Sequence, residues 1–142
     1  MAKQGKFIHQ GIWVGTKALT NAYAASLASG IEVKPNQSQF YNEVLTGKLS
    51  YFVVKGDTLG GGPPTPTSIT AFITEDAAGD EIIIPETTMT LTFGRSAAGT
   101  WMGSARLDVD VRLKSPTTDL YVWIKTDSGT ATAKQVQLNW EE

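Results

Sequence analysis

Residues 100–114 read Thr-Trp-Met-Gly-Ser-Ala-Arg-Leu-Asp-Val-Asp-Val-Arg-Leu-Lys, and apolar and polar residues alternate along them almost without error. Successive side chains of a β-strand point to opposite faces, so this stretch predicts a strand with one dry face and one wet face. Parallel strands are buried on both faces and read as continuous apolar runs. The alternation therefore predicts an antiparallel sheet. Its apolar side would carry Trp101, Ala105, Leu107, Val109, Val111 and Leu113.

The same kind of pattern recurs through the second half of the chain. Short strands separated by turn signals at this spacing are typical of β-sandwiches and jelly rolls. Pro85 would interrupt a central ladder and so indicates a sheet edge or a strand end, and Gly103 suggests a bend or bulge in the long strand. The fold class is predicted as mainly β, an antiparallel β-sandwich or jelly roll formed by residues 68–142. Further strands are expected at 68–74, 82–84, 88–93, 120–125 and 135–140.

The first 58 residues have a different pattern. Residues 59–67 are rich in Gly and Pro and predict a linker between this segment and the β domain. Before the linker, apolar spacing and cap residues predict one or two short helices, and the Gly-broken apolar stretch at the start suggests an extended N-terminal arm. The predicted division is thus 1–58, 59–67 and 68–142. The helices would span residues 16–30 and 37–46, and the strand before the linker residues 48–55.

Composition limits the function. Charged residues make up 18% of the chain, against roughly 25% in typical proteins, and threonine is abundant. A surface whose polar groups are mostly hydroxyls and amides, rather than charges, is suited to a protein that packs against other proteins. The net charge is −2 and the basic residues do not cluster, which argues against nucleic-acid binding. No apolar run approaches the length of a membrane span, and no signal peptide is recognised.

Catalytic patterns are weak throughout. The chain has one histidine, His9, and no cysteine, so triads and His- or Cys-based metal sites lack their parts. The acids between residues 75 and 81 lack the alternating spacing of a calcium loop. Asp108 and Asp110 could form a glycosidase pair, but arginines flank them on the same face, which is typical of a solvated sheet. We expect no enzyme and no cofactor.

The tryptophans provide the remaining signal. Trp101 and Trp140 lie in the apolar phase of their strands and are expected in the core. Tyr121 and Trp123 alternate with the aliphatic residues Leu120, Val122 and Ile124, so either face of this strand could be buried. The sequence therefore leaves three alternatives for the two aromatic residues: core, protein interface, or a platform that stacks on sugar rings.

In layout, the chain resembles the decoration (cement) proteins of tailed double-stranded DNA bacteriophages. The features are a Thr-rich β domain, a Gly-broken N-terminal segment joined by a Gly-Pro linker, and no catalytic constellation. The resemblance implies a virion structural protein that binds at capsid symmetry axes, often as a homotrimer, and clamps neighbouring capsid subunits. Residues 1–15 would order on binding. Partner binding is expected from Phe7, Ile8, Ile12, Trp13, Tyr121 and Trp123.

Two alternatives stay open. The first is a carbohydrate-binding β-sandwich that uses Tyr121, Trp123 or Trp13. The second is a tail, fibre or adaptor component of a phage, which the sequence does not separate from a capsid protein.

Overall fold

The computed structural model describes residues 8–23, 31–33, 46–60, 65–94, 100–112 and 120–141. These residues form strands and turns and contain no helix. The strands are β1 (Ile8–Leu19), β2 (Ile31–Val33), β3 (Thr46–Gly60), β4 (Ser68–Thr74), β5 (Ile82–Thr90), β6 (Thr92–Phe93), β7 (Trp101–Arg112), β8 (Leu120–Thr126) and β9 (Thr130–Glu141).

The strands make two antiparallel sheets. One has five strands in the order β1-β9-β3-β7-β6, and the other has four in the order β2-β8-β4-β5. The pairs are nested along the chain: β1 pairs with β9, β2 with β8, β3 with β7, and β4 with β5. Three further pairs, β3 with β9, β4 with β8 and β6 with β7, complete the sheets. The prediction of a mainly β, antiparallel fold is confirmed.

The inner faces of both sheets contribute to one hydrophobic core. Phe52 and Leu138 come from the five-stranded sheet, and Ile69 and Ile124 from the four-stranded sheet; all four are essentially inaccessible to water. The sheets approach closely at Gly103, where an added Cβ would lie 3.2 Å from Ile69 and 3.3 Å from Met89. Glycine therefore lets β7 pack against the opposite sheet.

The alternation along residues 100–114 is confirmed over the part that the structure describes. Trp101 is buried, Ala105, Leu107 and Val109 face inward against the core, and the polar residues between them lie outside. The irregularity is not at Gly103, which pairs regularly with Val54. It is a bulge at residues 107 and 108, which together lie opposite the single residue Ser50 of β3. Asp108 has a φ of 49°. A bulge needs one residue in an unusual backbone conformation, and aspartate tolerates the left-handed region better than most residues.

The first predicted helix begins inside a strand. Residues 16–19 belong to β1, and residues 17–19 pair with residues 131–133 of β9, while residues 24–30 lie outside the described part of the chain. Residues 37–45 of the second predicted helix also lie outside it, and Thr46 begins β3. Helical spacing was a poor guide over residues 16–19 because pairing with β9 supplies the backbone hydrogen bonds.

Segments on both sides of the predicted linker share one sheet. β3 begins before the predicted linker and ends two residues inside it, at Gly60, yet it lies between β9 and β7, which follow the linker. Residues 8–15, expected in a free arm, form most of edge strand β1. At the end of the linker Pro66 is buried and Thr67 hydrogen-bonds to Asp127. These contacts connect the two halves of the chain within one core.

The sequence Asp127-Ser128-Gly129 is typical of a hairpin turn, but here it does not join two paired strands. It connects β8 of the four-stranded sheet to β9 of the five-stranded sheet, so the strands beside it are not partners. Gly129, with a φ of 63°, provides the sharp change of direction.

Candidate functional site

The acidic residues between β4 and β5 form a closed turn. The Asp76 carboxylate accepts hydrogen bonds from the backbone N–H groups of Asp80 (3.1 Å) and Glu81 (2.8 Å). The Glu75 N–H donates to the Glu81 carbonyl. A carboxylate that accepts two backbone donors stabilises its own turn. Among the described residues no group of three or more His, Asp or Glu side chains could hold a metal ion.

The carboxylates of β7 lie on a solvated face. Asp108 and Arg106 form an exposed ion pair, with 3.4 Å between the carboxylate oxygen and Nε. Asp110 is exposed and lies opposite Lys48 of β3. Exposed pairs of this kind contribute less than about 1 kcal/mol to stability.

The outer face of the four-stranded sheet is covered by the chain itself. We call it the closed face: it consists of Phe72, Thr74, Tyr121, Trp123 and Lys125. The Trp123 ring stacks on Phe72 with 5.9 Å between centroids, and its indole N–H donates to the Thr74 hydroxyl at 3.0 Å. Gly79 of the acidic turn packs against the six-membered part of the same ring. Trp123 is therefore held between the sheet and the turn.

Tyr23 extends the closed face beyond the sheet. Its ring meets Phe72 edge-on with 4.8 Å between centroids, and the Lys125 ammonium lies 4.8 Å from the Tyr23 centroid. Burial first, and then the neighbouring carboxylate of Glu86, raise the pKa of the Tyr23 phenol well above its usual value. The phenol thus stays neutral, and its ring packs as an uncharged aromatic contact.

The outer face of the five-stranded sheet has a different character. We call it the open face, because within the described part of the chain no element packs over it. Its rows run across β1, β9, β3 and β7 in register. Away from the charged end of the sheet at Lys48 and Asp110, it consists of Ile12, Val14, Tyr51, Val53, Lys55, Met102, Ser104, Arg106, Gln135, Gln137 and Asn139.

The open face has little charge. Within this set the charged residues are Lys55 and Arg106, which lies opposite Tyr51, and the middle of the face is lined by the amides of Gln135, Gln137 and Asn139. Tyr51 and Met102 are exposed by 40% and 37%. Depletion of charge and enrichment in Tyr and Met are typical of the core of a protein interface. A flat sheet face of this composition can bind another protein surface.

A shallow depression of about 290 Å³ lies where the open face meets β6. Phe93, exposed by 52%, and Met102 give it an apolar side, and the ammonium-bearing Lys55 contributes the charge. The indole N–H of Trp101 donates to the Asp57 carbonyl at 3.1 Å, so this ring is held in the wall. The sequence does not indicate the depression, because Phe93 alternates with threonines in the same phase as Met89 and Leu91, which are buried. Its lining residues are Lys55, Thr92, Phe93, Gly94, Thr100, Trp101 and Met102.

The residues predicted to bind a partner do not form one site. Ile12 belongs to the open face, whereas Trp13 points the other way and packs against the core. Tyr121 and Trp123 lie on the closed face of the other sheet. Ile8 pairs with Glu141 at the start of β1, and Phe7 lies outside the described residues.

No sequence pattern indicated that Tyr51 and Met102 would lie together. Their strands are neighbours only through the β3–β7 pairing, which brings together residues some fifty positions apart in the chain.

Comparison with protein-family models, with curated proteins and with solved structures finds no match to this chain. No helix among the described residues is long and apolar enough to cross a membrane. The proposals below therefore rest on the chain's own geometry and on the resemblance in layout.

Proposed function

We propose that this chain is a non-catalytic structural protein of a phage virion, which decorates and stabilises a capsid by binding neighbouring capsid subunits. The observation that carries the proposal is the nested pairing of β1 with β9, β2 with β8, β3 with β7 and β4 with β5. Rolling such a nested antiparallel ribbon produces the two sheets of a jelly roll, and we infer that fold here. Jelly rolls are frequent in viral capsid proteins, although the fold by itself does not define a function.

The open face supports the choice of a protein partner. Binding a capsid surface requires a broad area with few charges to desolvate. The closed face is less suited to this role, because its aromatic rings already contact one another. The open face is thus the surface that we assign to the capsid, and the homo-oligomer, a trimer by the resemblance in layout, would present several copies of it.

The carbohydrate-binding alternative has less support. Stacking on a sugar requires an accessible aromatic face, whereas Trp123 lies against Phe72 on one side and contacts Gly79. Trp13 packs against the core. Titration with oligosaccharides would nevertheless test it directly: saturable quenching of tryptophan fluorescence would favour this alternative over the proposal.

The proposal is tested with virus particles. Mass spectrometry of purified particles should find the chain at a fixed ratio to the major capsid protein. Purified protein should also bind particles that lack it, and should raise the temperature at which they release DNA. Absence from the particles would overturn the proposal, and location in tail fractions would favour a tail or adaptor component.

Substitutions on the two sheets separate the binding surface from the rest of the molecule. Tyr51→Lys combined with Met102→Lys adds charge to the open face and should reduce particle binding at least tenfold. Ile82→Lys is the matched control, because Ile82 is also exposed, by 58%, but lies on the edge strand of the other sheet. Equal loss of binding in both variants would contradict the assignment of the open face.

A further inference from the structure

β1 is an edge strand whose first half pairs with β9 in an uninterrupted register. Residues 8–14 pair with residues 141–135 of β9 without a register shift, and the shift comes only between Val14 and Lys17. Among the described residues β9 is the one strand that pairs with β1. On the other side of β1, alternate backbone N–H and C=O groups therefore point away from the sheet.

One edge strand of the other sheet, β5, carries features that oppose strand addition. β5 contains Pro85, which has no N–H to donate, followed by Glu86. Both lie opposite Phe72, in a bulge between the pairs Ala71–Thr87 and Ile73–Ile84. Proline, charge and bulges are the usual means by which edge strands avoid pairing with other chains. Residues 8–14, Ile-His-Gln-Gly-Ile-Trp-Val, contain no proline and no Asp, Glu, Lys or Arg.

The sequence of this segment is complementary to itself. An antiparallel pair of two copies centred on Gly11 places Ile8 of each copy opposite Val14 of the other, and Gln10 opposite Ile12. By strand alternation these even-numbered positions share the outer face of the sheet, on which Val14 is exposed by 75%. The arrangement sets two apolar residues opposite each other at both ends and places no like charges opposite each other.

We propose that β1 binds β1 of a second copy of this chain, antiparallel about a twofold axis at Gly11, so that two five-stranded sheets become one continuous sheet. A twofold contact uses the same patch on both partners, which is what a self-complementary segment provides. The added ladder satisfies the outward backbone groups of the edge. This inference does not rest on the proposed function, and it predicts a dimer where the resemblance in layout implies a trimer.

The test is a set of charge substitutions read by light scattering after size exclusion over a range of concentrations. The unchanged protein should have twice the chain mass of 15.3 kDa. Val14→Lys should weaken the dimer at least about tenfold, because it places a charge opposite Ile8 twice in each dimer. Ile8→Glu should act in the same way. The double variant Ile8→Glu/Val14→Lys should recover most of the affinity, because opposite charges would then face each other at both ends of the paired segment.

Control measurements keep folding separate from association. Val14 is exposed, so the thermal unfolding of Val14→Lys measured on dilute monomer should stay close to that of the unchanged chain. Ile82→Lys on β5 should remain dimeric. A monomer or a trimer in the unchanged protein would overturn the proposal, and so would a dimer that Val14→Lys leaves intact. Failure of the double variant to recover dimerisation would exclude the register centred on Gly11.

Discussion

The two sheets differ in what covers their outer faces. On the closed face Trp123 is stacked on Phe72, bonded to Thr74 and packed under the acidic turn. On the open face Tyr51 and Met102 remain exposed among amide side chains. The comparison shows that an aromatic residue in the outward phase of a strand is not by itself a binding residue. Its neighbours in space decide whether it stabilises the chain or remains available to a partner.

The largest expected effect is on the closed face. Trp123→Ala removes the contact with Phe72 and the hydrogen bond to Thr74, and should lower the free energy of unfolding by about 3 kcal/mol. Trp123→Phe retains the stacking and should lose about 1 kcal/mol. Urea unfolding measures both. If Trp123→Ala unfolds like the unchanged chain, the ring is not part of the packed structure and the contrast between the faces fails.

The next effect concerns the turn that covers Trp123. Asp76→Ala removes the acceptor of two backbone N–H groups and should cost about 1 kcal/mol. Asp80→Ala is the control, because that position contributes its backbone N–H and its side chain is exposed; its effect should stay within about 0.5 kcal/mol. Thermal unfolding distinguishes the two variants. Equal effects would mean that the turn is held by its backbone alone.

Asp127, at the end of β8, accepts hydrogen bonds from Thr67 and Ser68 at the start of β4. The free energy of unfolding should therefore depend on the ionisation of Asp127. Desolvation opposes its ionisation, but hydrogen bonds from Thr67 and Ser68 lower the pKa of Asp127 below its usual value. The carboxylate therefore stabilises the fold above the unfolded value of ~3.9, and this contribution is lost as the pH falls through the lower folded value.

The pH dependence is measured against Asp127→Asn. Its difference in unfolding free energy from the unchanged chain should be constant above about pH 5 and should shrink below about pH 4. The carboxylate is exposed, so the difference is expected to be small. A difference that does not change with pH would show that the hydrogen bonds, rather than the charge, hold the linker end.

The smallest effect on stability is expected on the open face. Tyr51→Ala should cost about 0.5 kcal/mol, because the ring is exposed by 40%. The same change should weaken particle binding by tenfold or more, since exposed aromatic residues at the centre of an interface often dominate its affinity. Parallel measurements of unfolding and of particle binding test this. A large loss of stability would place Tyr51 in the packed structure and remove the distinction between the two faces.

Much of the sheet structure could be predicted from periodicity. β4 spans Ser68–Thr74 as predicted, and Pro85 lies on an edge strand, β5, as the sequence indicates. The binding surfaces could not be predicted in this way. Trp123 and Tyr51 both occur in strand patterns. What distinguishes them is the acidic turn, whose Gly79 packs against Trp123, whereas Tyr51 stays exposed.

The structure of the first half of the chain was harder to predict, because it too depends on contacts between residues that are distant in sequence. Residues 16–19 have helical spacing, yet they pair with β9, more than a hundred residues away. The Gly-Pro linker indicates a boundary, yet β3 lies between β9 and β7. Pairing with distant strands stabilises a segment through backbone hydrogen bonds, and local propensity takes no account of these bonds.

The sequence by itself determined that residues 68–142 form antiparallel strands, each with an apolar and a more polar face, because side-chain alternation is a local property of the backbone. It also determined that the chain has one histidine and no cysteine, so sites built on several histidines or on thiolates lack their residues. The tertiary structure alone decided which strands pair, which sheet each belongs to, and which outer face is covered. Those outcomes depend on contacts between distant residues, where burial of a shared core and satisfaction of backbone groups outweigh the preference of any single segment.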